Sequence, residues 1–155
     1  MHLPDTKYNG NVVLLRGAAL WLLMALLLAW CMVGLNFGVA PLKAIFAGKF
    51  TRLLQAHIDF LLMTVLILSI YATKTPLPWT VRWAMVVGAF TNSSLFLLMA
   101  MFPALDSPTA PPPEWFKLYL FASILITSYG FGKAAVCVLR ATFKCNASAG
   151  NDEIA

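Results

Sequence analysis

The sequence predicts an all-α integral membrane protein, a bundle of four spanning helices. Three observations lead there. Of its 155 residues, 61% are hydrophobic and 11% charged, against about 45–50% apolar and about 25% charged in an ordinary soluble domain. That charge is too sparse to cover a water-facing surface. The apolar residues gather in four runs, each long enough for the roughly 20 residues that cross the hydrocarbon core. The runs are continuous rather than alternating, and in lipid a helix satisfies its backbone groups within its own segment, so helices are favoured over barrel strands. A soluble enzyme, a disordered chain and a disulfide-stapled secreted module are excluded. The net charge of +5 needs no nucleic acid, because membrane topology and anionic headgroups favour basic residues beside apolar runs.

The first span covers roughly residues 12–39, with Arg16 and Gly17 near its start. It is longer than the apolar part of a signal peptide and no small-x-small cleavage site follows it. Leu28-Ala29-Trp30-Cys31 faintly matches a lipoprotein site, but the bulky Trp30 argues against processing there. Ala40-Pro41 ends this span, and Lys43, Lys49 and Arg52 fall in the link that follows. The second span covers roughly 53–73, and Thr75-Pro76-Leu77-Pro78 forms a tight link to the third, roughly 79–102. The link from Pro103 to Glu114 is proline-rich and is expected to be extended rather than helical. The fourth span covers roughly 115–139, and residues 145–155 read as a frayed, polar tail.

Four spans put both termini on one side with the second link. That side carries Lys7, Arg16, Lys74, Arg82, Arg140 and Lys144, with Lys133 able to snorkel toward it, against Lys43, Lys49, Arg52 and Lys117 opposite. The bias favours cytoplasmic termini, as in a bacterial inner membrane. Cys31, Cys137 and Cys145 show neither disulfide nor zinc spacing.

Ionisable groups inside a span are costly and are functional candidates by default. His57 and Asp59 lie near the start of the second span. The other histidine, His2, is at the N-terminus. An intramembrane imidazole either hydrogen-bonds a neighbouring helix or ligates a metal or haem iron. Zinc is disfavoured because no partner ligands converge. With one such histidine per chain, a haem it held could keep one iron face open for a substrate oxygen or nitrogen. Asp59 is about 200° around the helix from His57, so the two point to different faces. Arg52, Gln55 and Asp59 can share a row, and the plain expectation is that Arg52 or Gln55 neutralises Asp59. The alternative makes Asp59 a proton donor or acceptor in a pocket. Asn92, flanked by Thr91, Ser93 and Ser94, either glues helices or lines a site. Its match to the glycosylation pattern is void within a span. Asn36 falls between Gly34 and Gly38, whose GxxxG spacing allows close helix approach or an oligomer contact. Ser123, Thr127, Ser128 and Tyr129 dot the fourth span. Gly130-Phe131-Gly132-Lys133 is not a phosphate loop, having no preceding strand.

Arg52-Leu53-Leu54-Gln55-Ala56-His57-Ile58-Asp59, opening a second span in a small four-span chain, resembles the styrene oxide isomerases. It is also similar to the hydroxylaminobenzene mutases, whose Ala-His is followed two positions on by an acidic residue. Gly88-Ala89-Phe90-Thr91-Asn92, running on to Phe102-Pro103, is similar to the isomerase stretch that carries an asparagine and ends at a proline. The resemblance implies haem b held by His57, the metal ligand, between subunits of a trimer, in a site built from the second and third spans. The implied chemistry is redox-neutral: ferric iron takes an epoxide oxygen, the ring opens, and a 1,2-hydride shift gives an aldehyde. Met63 and Phe96 stand where the family has an asparagine and a tyrosine, so two hydrogen-bonding groups are replaced by groups that bond poorly. From spacing alone both also read as core or lipid-facing residues.

Three functions follow as expectations. The first is a haem-dependent isomerase or mutase acting on a small apolar, aromatic substrate drawn from the bilayer. Its catalytic residues would be Asp59 and Asn92, its cofactor residues His57, Met63 and Phe96, and it would work as a homo-oligomer. The second is a non-enzymatic haem-binding or electron-transfer subunit. The third is a helix-packing partner with no cofactor.

Overall fold

A computed structural model describes residues 11–107, 109 and 111–152, with side chains through residue 143. His2 and Lys7, the side chains of Lys144 and Cys145, and residues 153–155 lie outside this description. Among the described residues every regular element is helical: α1 (Val12–Asn36), α2 (Ala40–Ile45), α3 (Phe50–Ala72), α4 (Trp79–Met101) and α5 (Glu114–Asp152), with a 3-10 turn at Pro103–Asp106. Four of them, α1, α3, α4 and α5, are long and apolar enough to cross a membrane. The chain is an all-α four-helix membrane bundle.

Successive spans run in opposite directions. α1 packs on α3, α3 on α4, and α4 on α5, with α1 also touching α4. α4 is therefore the central helix. Its buried face includes Val81, Met85, Ala89, Ser93 and Ala100. Small residues let its neighbours approach closely: a Cβ on Gly88 would lie 2.8 Å from Thr127 Cα, and one on Gly130 2.7 Å from Met85 N. Large side chains left outside, such as Trp30 at 75% exposure, face lipid, which is as apolar as they are. Exposed aromatics mark both rims, Trp79 and Trp83 at the end that carries Asn11, and Phe37, Phe50, Phe102 and Trp115 at the other.

Three boundaries differ from the sequence expectation. Glycine, not Ala40-Pro41, ends the first span. Gly38 sits at φ +80°, with Gly38 N–H donating to Leu35 O and Val39 N–H to Gly34 O, both at 3.0 Å. This is a Schellman cap, which needs a left-handed residue just past the helix. Pro41 instead sits in the first turn of α2, where its missing N–H costs nothing. The GxxxG pair is consequently split between helix and cap. Leu42 of α2 fills the space over Gly34, so Gly34 seats a side chain of its own chain. Second, the link after α4 begins as a helical turn, since Pro103 opens the 3-10 turn and proline is tolerated at a first position. Third, α5 continues to Asp152, past the point where the polar tail was expected to begin; its alanines favour helix.

Candidate functional site

The inward stripe of α3 is Leu53, Ala56, Phe60, Met63, Thr64 and Ile67, all buried. On a 3.6-residue repeat His57 and Asp59 fall on opposite borders of that stripe. Both are half-buried, roughly two turns or a little more inside the start of α3. The two point to different faces, as their spacing requires.

His57 turns toward α1. Its Nδ1 lies 2.8 Å from the Ala25 carbonyl oxygen. A carbonyl only accepts, so Nδ1 carries the hydrogen and donates, and in the neutral ring this leaves a lone pair on Nε2. No described side chain bonds Nε2. The inner side of this seam is filled by Ala25, Leu28, Leu53, Ala56 and Phe60, so anything large held by Nε2 lies on the partly exposed outer side. The resemblance implied a site between the second and third spans; the histidine instead occupies the seam of the first and second.

Asp59 turns toward α4. Its Oδ2 accepts from Asn92 Nδ2 at 2.9 Å and from Ser93 Oγ at 2.7 Å. Ser93 Oγ also lies 3.0 Å from Ala89 O, so its one hydrogen can serve either acceptor. No described residue donates to Oδ1. The expectation that Arg52 or Gln55 neutralises Asp59 is corrected here. Arg52 donates to Gln55 Oε1 at 2.8 Å, but its charge goes to Asp106, through Nε to Oδ2 at 3.0 Å and through Nη2 to Oδ1. Lys49 Nζ adds a second contact to Asp106 at 2.9 Å. Hydrogen bonds from Arg52, then Lys49, hold the Asp106 carboxyl well below the usual carboxylate range. The reason is geometric: Arg52 is in the first turn of α3 and reaches the headgroup side, where the turn after α4 delivers Asp106.

Met63 is buried one turn beyond this level, in the cluster with Leu14, Ala18 and Ile67. Phe96 packs half-buried against the cluster that contains Ala25, Ala56 and Phe60. Asn36 is exposed at the end of α1. The polar residues of α5 fasten it to α4: Ser123 Oγ donates to Thr91 Oγ1 at 3.0 Å, Thr127 Oγ1 to Gly88 O at 3.0 Å, and Tyr119 OH pairs with Ser94 Oγ at 2.7 Å. Between His57 and the deeper core stands an aromatic group of Trp21, Phe60 and Phe90, with Trp21 and Phe90 stacked at 5.0 Å and Trp21 Nε1 donating to Val86 O at 3.2 Å.

Sequence reasoning missed the Ala25 carbonyl and Asp106. The first is invisible because any backbone carbonyl could serve. The second had a signal, being the lone acid between the third span and Glu114, on the side where Lys49 and Arg52 also fall. Among the described residues no group of three or more His, Cys, Asp and Glu side chains converges to hold a metal ion, so any metal here would come with its own macrocycle or further ligands. Comparison with protein-family models, with curated proteins and with solved structures gives no match for this chain.

Proposed function

We propose that this chain binds haem b through His57 Nε2 and acts as a membrane isomerase or mutase on a small apolar, aromatic substrate, in the manner of the styrene oxide isomerases it resembles. The observation that carries the reading is the Nδ1 hydrogen bond to Ala25 O. An iron-ligating imidazole needs its other nitrogen protonated, anchored and aimed, and a backbone carbonyl is a common anchor. Among the described residues His57 is the one imidazole that would hold the group. Ferric haem supplies Lewis acidity toward a substrate oxygen or nitrogen lone pair. The chain's own residues would do the rest. Leu54 and Leu61, one turn either side of His57, offer an apolar approach from lipid. Asp59 Oδ1 can take or return a proton while Asn92 and Ser93 hold Oδ2 in place.

His57 and Asp59 sit on opposite borders of α3, so a site using both would be completed between copies. His57 of one protomer would meet Asp59 and Asn92 of the next, as a closed ring such as the trimer implied by the resemblance allows. The same separation favours the second reading, a haem-binding or electron-transfer subunit with no acid or base at its iron. The localisation that goes with either is a bacterial inner membrane with both termini cytoplasmic, supported by Arg16, Lys74, Arg82, Lys133 and Arg140 at the Asn11 end.

The test is the absorption spectrum of the detergent-purified protein, with and without added haemin. A Soret band lost in His57→Ala and kept in Asp59→Asn supports haem ligation. A colourless protein that takes up no haemin defeats both haem readings. Conversion of an aryl epoxide or arylhydroxylamine without added electrons, lost in both variants, then separates the isomerase from the carrier.

A further inference from the structure

We infer that Arg82 holds the phosphate of an anionic phospholipid at the Asn11 end of the bundle. Arg82 lies in the first turn of α4, and its Nε is a buried side-chain nitrogen with no hydrogen-bond partner among the described residues. A guanidinium only donates and stays charged; with Nε closed off by the protein, its terminal N–H groups on the half-buried side chain are the ones that can meet an outside anion. The described acids cannot supply it. Asp59 is engaged by Asn92 and Ser93, while Asp106 and Glu114 are held at the opposite end by Arg52, Lys49 and Lys117. At the Arg82 end the charged side chains described are Arg16, Lys74, Lys133 and Arg140, all basic and all exposed.

Depth points to a lipid. Trp79 and Trp83 flank Arg82 on the same helix, 64% and 44% exposed, with ring centroids 6.4 Å apart. Exposed indoles settle at the headgroup boundary, which puts the guanidinium at phosphate level. Beside it on the face of Trp79 and Trp83, Val87 at 41% exposure continues an apolar surface that suits an acyl chain. A free phosphate would find the charge but nothing to lie against. Arg at this depth also gives the planar, paired donors that match two phosphate oxygens, which lysine lacks.

The experiment is native mass spectrometry of the full chain in detergent, titrated with phosphatidylglycerol, phosphatidylcholine or inorganic phosphate. The expected result is retention of phosphatidylglycerol over phosphatidylcholine. Affinity falls about tenfold in Arg82→Gln and severalfold in Arg82→Lys, which keeps the charge but loses the fork. Lys133→Gln, at the same end but exposed, changes it less than about twofold. Equal retention of the two lipids overturns the proposal. So does an Arg82→Lys variant that binds as the wild type does, since the patch then acts by charge alone. Displacement of the lipid by millimolar inorganic phosphate overturns the lipid assignment. Should Arg82→Gln not fold, Arg82→Lys carries the decision.

Discussion

Asp106 is the tie that holds the start of α3 to the end of α4, and its removal has a calculable cost. The carboxylate takes two bonds from Arg52 and one from Lys49. The Arg52 and Asp106 side chains are 27% and 14% exposed. The pair is thus drier than surface pairs worth about 0.2–1 kcal/mol and wetter than buried ones, where losing one partner costs about 3–5 kcal/mol. A bidentate pair at this exposure implies a coupling of about 1–2 kcal/mol. Lys49, 62% exposed, adds a few tenths. At about 3–4 °C per kcal/mol for a chain of this length, Asp106→Asn should lower the unfolding midpoint in detergent by about 4–8 °C. The assay is a double-mutant cycle of Arg52→Gln and Asp106→Asn, read by thermal unfolding. The pH dependence has a definite sign. The folded carboxyl ionises below its unfolded value of about 3.9, so the tie contributes fully above about pH 5. The wild type's margin over Asp106→Asn then shrinks as pH falls below about 4. Effects of the two substitutions that add within about 0.3 kcal/mol, or a margin that grows on acidification, would refute the assignment.

Other substitutions test the packing. Gly130→Val drives a side chain into the Met85 and Ala84 backbone and should destabilise by about 3 kcal/mol or more. Gly132→Ala, with nothing within 4 Å of the added Cβ, should be neutral or stabilise by up to about 1 kcal/mol; thermal midpoints compare the two. Gly34→Leu should destabilise the chain by displacing Leu42 yet leave the oligomer distribution on crosslinking unchanged, whereas a dimerisation motif would lose its oligomer. Trp21→Phe removes the bond to Val86 O and should cost about 0.6–1.7 kcal/mol, seen as a lower midpoint with the helical circular dichroism intact.

The spans were legible because the bilayer is a coarse reader: twenty apolar residues suffice, whatever their order. Helix ends were less so, since Gly38 and Pro41 both break helices and only the backbone geometry selects which one does. The site divides the same way. That His57 and Asp59 face apart follows from two residues of helical rotation. Which helix each one meets depends on the order in which four near-equivalent helices pack, and apolar runs of similar character do not encode that order. The charges illustrate the point. Arg52 has Gln55 and Asp59 within its own helix, and local spacing favours both as partners. Yet Arg52 near the headgroups gains more from Asp106, which arrives there by chain topology, than from a carboxylate more than a turn deeper in lipid. Asp59 is then left to neutral donors, Asn92 and Ser93. One oxygen of that carboxyl is held by uncharged partners, and no described residue donates to the other. Reassigning Arg52 to Asp106 therefore does more than correct a pairing, because it leaves Asp59 with neutral partners alone.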